Sequence, residues 1–296
     1  MHLGRILIAC TILGCAFGLR AQKPIEKDAI VLGFKLHYRE LGRGPMVVLL
    51  HGLGADGARW DRNLGPLARD FRVIALDQIG FGQSDKPMAN YNNRMLSEFL
   101  VRFLAAIGAA KASLIGSSMG AQVALNVAVH HPDVVDRLVL VDGGNVRSAE
   151  GPPPPPMSAE RQRIMNGVTS EETRELLGLL IHDKSQITDR LVDETLMTHL
   201  QSSYAIGKIL EAGPKLNSLG EDEVRTLKSP TLIIWGRNDA LNGPAAADRL
   251  AGIIPGARKV VIDEAGHMPH WEKAQEFNRV VAEFLKQDVG TALSGK

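Results

Sequence analysis

Ser118 stands in Gly116-Ser117-Ser118-Met119-Gly120, between the apolar run Ala112 to Ile115 and the small-residue run Ala121 to Val129. A sharp strand-to-helix turn can expose a serine hydroxyl for attack on a carbonyl, but it leaves no room for side chains two positions to either side. Counting from Ser118 puts glycine at both crowded positions, Gly116 and Gly120, whereas counting from Ser117 would put Ile115 and Met119 there. Ser118 is therefore the candidate nucleophile. In a chain with 30 glycines the competing reading is a plain tight turn, and the strand-like and helix-like flanks weigh against it.

A serine hydroxyl needs a base to take its proton and an acid to orient that base. His267 follows the apolar stretch at 257–263 in Glu264-Ala265-Gly266-His267, and Asp239 follows another in Trp235-Gly236-Arg237-Asn238-Asp239. Asp142 also ends an apolar run and could reach the base from a different direction, while Asp77 and Asp263 read as structural. His270, three residues beyond His267 and beside Trp271, reads as a rim or surface residue. The oxyanion formed by serine attack needs preorganised donors. The backbone N–H of Met119 is one candidate, and that of Leu53 in His51-Gly52-Leu53-Gly54 is the other, with Gly52 allowing close approach.

These residues must be positioned by a scaffold, and each falls just after an expected strand. Strands are expected at 29–34, 35–40, 46–50, 72–77, 112–115, 135–141, 231–235 and 257–263, with helices at about 57–69, 94–107, 121–129 and 274–285. Such alternation predicts an α/β fold with a mostly parallel, eight-stranded-type sheet covered by helices on both faces. Ligands bind such sheets at the carboxyl ends of the strands. The interval 143–228 lacks a comparable strand. It carries a capping box, Thr169-Ser170-Glu171-Glu172, ahead of a leucine-rich helix, and a second helical stretch over about 188–210. Five prolines, residues 152–156, read as a stiff spacer at its entry.

Arg5 precedes fourteen uncharged residues, Ile6 to Leu19, and residues 1–21 read as a signal peptide. The stretch is short of the about 20 apolar residues a bilayer span needs, so no stable membrane span is expected after processing. Export is the expectation, with anchoring through the N-terminal segment, or a lipid at Cys15, as the alternatives. Both cysteines, Cys10 and Cys15, lie in this leader, so the mature chain is expected to have no disulfide or thiolate metal site. The division is then 1–21 leader, 22–142 and 229–296 core, and 143–228 insertion. With 34 basic and 33 acidic residues, nothing favours nucleic acid or a polyanionic partner. Nothing in the sequence bears on oligomeric state.

Taken in order, His51-Gly52-Leu53-Gly54, Asp77-x-x-Gly80-x-Gly82-x-Ser84, Gly116-x-Ser118-x-Gly120, Trp235-Gly236-x-x-Asp239 and Gly266-His267 resemble the α/β-hydrolase superfamily over about residues 29–287. The resemblance implies the Ser118, Asp239, His267 triad in that chain order, and a helical lid formed by the insertion. Trp235 to Asp239 and Gly266-His267 with Trp271-Glu272 look like the meta-cleavage-product hydrolases, which cut carbon–carbon bonds. Ser117 and Ala121 stand where that subfamily usually has asparagine and glycine, and Leu53 where it usually has serine. The Asp77 to Pro87 segment looks like haloalkane dehalogenases and epoxide hydrolases, but those use an aspartate nucleophile.

The resulting expectation is an exported serine hydrolase of small to medium apolar carboxylic esters, with no metal or cofactor. Two alternatives stand beside it. One is a carbon–carbon bond hydrolase, which a cationic lid residue such as Arg161, Arg163 or Arg174 aimed at the serine would favour. The other is a non-catalytic binding protein on the same fold. Leu176, Leu180, Leu196, Met197 and Leu200 either line an acyl pocket or pack the lid onto itself.

Overall fold

The computed structural model describes residues 23–147 and 158–287. The leader with Cys10 and Cys15 and the proline run at residues 152–156 lie outside the described residues.

The sheet opens with β1 (Ile25–Val31) and β2 (Phe34–Leu41), paired antiparallel. Their turn residues Leu32 and Gly33 both have positive φ, 53° and 84°, the backbone of a two-residue hairpin whose twist suits the flanking strands. The first strand therefore starts and ends earlier than the sequence pattern predicts. Next come β3 (Met46–Leu50), β4 (Arg72–Leu76), β5 (Ala112–Ser117) and β6 (Val135–Val141), apolar runs that are almost wholly buried. Two-residue strands β7 (Val146–Arg147) and β8 (Leu219–Gly220) pair with each other. β9 (Thr231–Gly236) and β10 (Arg258–Ile262) complete the main sheet.

The order across it is β1-β2-β4-β3-β5-β6-β9-β10. From β4 to β10 every neighbouring pair is parallel, and β2 is antiparallel to both its neighbours. The strand alternation sends successive residues to two cores. Val48 and Leu50 join Phe103, Leu114 and Val123 on one face, while Val47 and Leu49 join Trp60, Phe277 and Val281 on the other. The first face is covered chiefly by α2 (Asn93–Ala106) and α3 (Met119–His130), the second by α1 (Asp61–Leu67) and, near the chain end, α11 (Ala274–Leu285).

Between β6 and β9 lie α4 (Ala159–Met165), α5 (Ser170–Leu180), α6 (Asp189–Gln201), α7 (Ser203–Asn217) and the short α8 (Glu221–Val224). The expected capping box forms in one arm only: Thr169 Oγ1 accepts from the Glu172 N–H at 3.2 Å, but Glu172 Oε2 accepts from the N–H of Val168, one residue before the cap, at 2.9 Å. The single helix expected over 188–210 is two, broken at Ser202, and α7 is itself kinked at Gly213 with φ 61°. After β9 come α9 (Ala245–Ile253) and the four-residue α10 (Pro269–Glu272). Leu177, Ile181, Leu191 and Val192 pack with Met268, seating the insertion directly on the residue after His267. Among the described residues no helix is long and apolar enough to cross a membrane.

Candidate active site

β5 ends at Ser117 and α3 begins at Met119, so Ser118 occupies the turn itself. Its φ of 53° and ψ of −113° are strained for a residue with a side chain, and such strain collects at functional sites. The crowding is backbone against backbone. A Cβ on Gly116 would lie 2.2 Å from the Gly120 carbonyl oxygen, and one on Gly120 would lie 2.2 Å from that of Leu50. Gly143, which the sequence reading passed over, belongs to the same packing: its Cβ would lie 2.4 Å from the Ser118 carbonyl oxygen. The Ser118 N–H donates to the Val141 carbonyl at 2.9 Å, pinning the turn to β6. The Ser118 hydroxyl makes no capping bond to α3.

His267 Nδ1–H donates to Asp239 Oδ2 at 2.8 Å, and both side chains are buried. Asp239 is held from its other oxygen, Oδ1, which accepts the N–H groups of Leu241 at 2.8 Å and Asn242 at 3.0 Å. The loop carrying His267 is tied to the insertion. The His267 N–H donates to the Leu180 carbonyl at 2.8 Å, while Glu272 accepts from Gly266 N–H at 2.7 Å and His182 N–H at 2.8 Å. Ser118, His267, Gly52 and Leu53 all line one pocket of about 660 Å³, part of it open to solvent. With Nδ1–H committed to Asp239, Nε2 of His267 is the free base of the imidazole. A serine hydroxyl and a histidine base on one pocket, with a carboxylate bonded to that histidine, can together perform acyl transfer.

The glycine-rich loop at residues 51–54 is shaped by His51. Its Nε2 accepts the Gln78 N–H at 3.1 Å, so Nδ1 carries the proton and donates to the Gly52 carbonyl at 2.8 Å. Complete burial lowers the imidazole pKa and keeps this ring neutral. A Cβ on Gly52 would lie 3.3 Å from Ser118 Cβ, so this glycine packs directly on the serine, and Leu53 lines the same pocket. The first turn of α3 adds the partial positive charge of its N-terminus.

Two sequence expectations change here. His270 is not at the surface: it is 1 % exposed, with its ring 4.3 Å from that of Trp60, and it lines the pocket. Burial, with the nearby Arg59 and His267, lowers its pKa to about 3. The cations of the insertion are also engaged elsewhere. Arg163 pairs with Glu172 and Glu175, Arg174 pairs with Asp189, and Arg161 donates to the Leu241 carbonyl. The arginine that does line the pocket is Arg59, from the 3₁₀ turn Gly57–Trp60 after β3. It donates to Thr195 Oγ1 of α6 at 3.3 Å and makes no ion pair among the described residues. Burial lowers its pKa, opposed by the more distant Asp56 and Glu194.

Of the apolar insertion residues named above, Leu176 and Leu180 line the pocket together with Leu177 and Met165, whereas Met197 and Leu200 are 60 % and 46 % exposed. Asp142, weighed above as a second acid, lies against the site without bonding His267. It is fully buried, with φ 45°, and its Oδ1 accepts the Gly236 N–H at 2.9 Å. Burial first, then the neighbouring Asp239, push its carboxyl well above the usual carboxylate range.

A family model described as the α/β hydrolase fold matches residues 45–274. The chain belongs to the α/β hydrolase fold family. Among similar α/β hydrolases is a 2-hydroxy-6-oxononadienedioate/2-hydroxy-6-oxononatrienedioate hydrolase of Pseudomonas putida, 32 % identical and matched over 86 % of this chain and 93 % of that protein. A 2-hydroxy-6-oxo-6-phenylhexa-2,4-dienoate hydrolase of Comamonas testosteroni is 30 % identical, matched over 90 % of this chain and 95 % of that protein. The solved meta-cleavage product hydrolase from Pseudomonas fluorescens superposes with a TM-score of 0.77 at 26 % identity, over 88 % of this chain and 97 % of that one. The superfamily resemblance and the eight-stranded fold are thereby established, and the chain is a hydrolase by kinship.

Proposed function

We propose that this protein hydrolyses a carbon–carbon bond next to a ketone in a carboxylate-bearing substrate, using Ser118 as nucleophile, His267 as base and Asp239 as its orienting acid. The observation that carries the reading is Arg59. An arginine without an ion pair, on the wall of a serine pocket otherwise rich in leucine and methionine, suits a substrate that brings its own anion. The relatives named above are hydrolases of dienoates and dienedioates, which are such anions. They favour this reading over the apolar-ester reading that the sequence first suggests.

Ser118 adds to the ketone carbonyl as His267 takes its proton, and the Leu53 and Met119 amides hold the oxyanion. Collapse breaks the carbon–carbon bond. The departing carbon carries the electron pair, which is tolerable only where a conjugated carbonyl spreads it, and His267 returns the proton. Water then hydrolyses the acyl-enzyme by the same base. The helical insertion serves as a lid, since Met165, Leu176, Leu177 and Thr195 stand on the pocket wall with Ser118. Export through residues 1–21 belongs to the same proposal.

A second reading, ester hydrolysis with the same three groups, is favoured by the apolar wall of Leu176, Leu177, Leu180 and Met165. The test is turnover of a 2-hydroxy-6-oxo-dienoate, followed by loss of its conjugated absorbance and mass identification of two acid products, beside a series of p-nitrophenyl esters. Fluorophosphonate labelling of the wild type and of Ser118→Ala runs in parallel. Dienoate turnover that exceeds ester turnover and is lost in the variant is expected. Ester turnover alone selects the second reading, and labelling that persists in Ser118→Ala overturns the triad.

A further inference from the structure

Two carboxyl groups and one imidazole meet behind the candidate nucleophile: polar atoms of Asp142, Asp239 and His267 lie within 4.8 Å of one another, all buried. Two carboxylates this close, out of water, do not both ionise at neutral pH without a large penalty. The hydrogen bonds decide which of them holds the charge. Asp239 receives three donors, from Leu241 N–H, Asn242 N–H and His267 Nδ1–H. Asp142 receives one, from Gly236 N–H on Oδ1, and its Oδ2 is buried with no hydrogen-bond donor among the described residues. Donors stabilise the ionised form, so the proton belongs on Asp142.

We propose that Asp142 is a positioning residue, a neutral carboxylic acid whose Oδ2–H donates to the Asp239 carboxylate and so fixes the acid against His267. No bond to substrate is involved, and the charge of the pair stays at one. The backbone is arranged for this contact. The positive φ of Asp142 turns the chain at the end of β6, and its N–H donates to the Ile234 carbonyl at 3.1 Å, binding the turn to β9 just ahead of the Asp239 loop. Glu272 also faces the group, with its oxygens occupied by the amides of Gly266 and His182. The burial-driven rise in the Asp142 pKa acts in the same direction.

The proposal rests on the reading of Ser118, His267 and Asp239 as the catalytic groups, and its test keeps the two separable. The full chain is compared with Asp142→Asn and Asp142→Leu by the second-order rate of fluorophosphonate labelling and by infrared spectroscopy in the carboxylic acid C=O region. An asparagine can still accept from Gly236 and donate to Asp239, whereas a leucine can do neither. Labelling of Asp142→Leu is expected to fall roughly 10- to 100-fold, the worth of a hydrogen bond to a charged group, and Asp142→Asn to restore most of that loss. The wild type is expected to show a protonated-acid band at neutral pH that Asp142→Asn lacks. An unchanged band in Asp142→Asn, or no band in the wild type, overturns the proposal while Ser118-dependent labelling keeps the triad. Absent labelling in the wild type removes the triad and the positioning role with it.

Discussion

Arg59→Met keeps an unbranched, largely apolar stem and removes the guanidinium, with its charge and its N–H donors. A hydrogen bond to a charged group contributes about 1.5–3 kcal/mol, and breaking a fully buried ion pair costs about 3–5 kcal/mol. Arg59 is only partly buried and the pocket is partly open, so the lower overlap, about 3 kcal/mol, applies. At 1.4 kcal/mol per tenfold, that is roughly a 10²-fold fall in kcat/KM on a carboxylate substrate. The assay sets the 2-hydroxy-6-oxo-dienoate against its primary amide, which is uncharged and nearly the same shape. Wild type should prefer the acid by roughly 10²-fold, and Arg59→Met should treat the two alike. Stability gives an independent check. Because Arg59 donates only to Thr195, at 3.3 Å, and has no ion pair to lose among the described residues, Tm should hold or rise. Equal losses on acid and amide would refute the reasoning, as would a preference for the acid that survives in the variant.

Gly116→Ala should abolish fluorophosphonate labelling, because its Cβ would meet backbone of Gly120 and Ala121 within 2.5 Å; Gly65→Ala, whose Cβ meets nothing within 4 Å, should label like wild type. Asp77→Ala strips the carboxylate that accepts Gly57 N–H and Gln83 N–H, both at 2.7 Å. Two orphaned amides at about 1–3 kcal/mol each predict a loss of about 2–6 kcal/mol in urea unfolding. His270 contributes a pH dependence of definite sign. Its pKa is about 3 in the folded protein against an ordinary 6.5, so the unfolded chain binds the proton first. Its contribution is complete above about pH 6.5 and is lost as pH falls toward 3, by at most about 1.4 kcal/mol per pH unit. Unfolding of His270→Phe between pH 7 and pH 4 should show a shallower decline than wild type, and an identical slope would count against a neutral buried His270.

The strand ends were legible because parallel strands buried on both faces are written as short apolar runs, and the glycines at 116, 120 and 236 mark contacts that only backbone can make. The same local logic pointed to Ser118, Asp239 and His267: Ser118 follows directly on β5, and Asp239 and His267 lie in the turns after β9 and β10. Arg59 was not legible. It sits in a 3₁₀ turn eight residues past His51, and only the packing of α6 over that turn makes its side chain a pocket wall. His270 was misplaced for a similar reason: proximity to Trp271 suggested a rim, but its partners are Trp60 and Phe277, which local pattern cannot supply. The break at Ser202 escaped because apolar spacing continues through it from α6 into α7. Asp142 was seen as a strand-end acid, but its contact with Asp239 depends on β6 and β9 being sheet neighbours.

The bonds between the His267 loop and the end of α5 bear on how this protein can evolve. A peripheral segment travels easily between scaffolds when its seam is crossed by few contacts. This seam runs through main chain: the Leu180 carbonyl holds the amide of His267, and Glu272 clasps Gly266 and His182 together. A transplanted insertion lacking that carbonyl and that amide would loosen the histidine as it changed the pocket. Diversification of substrate range here is therefore channelled into single replacements at wall positions such as Leu176, Leu177 and Thr195, and wholesale recombination of the insertion is disfavoured.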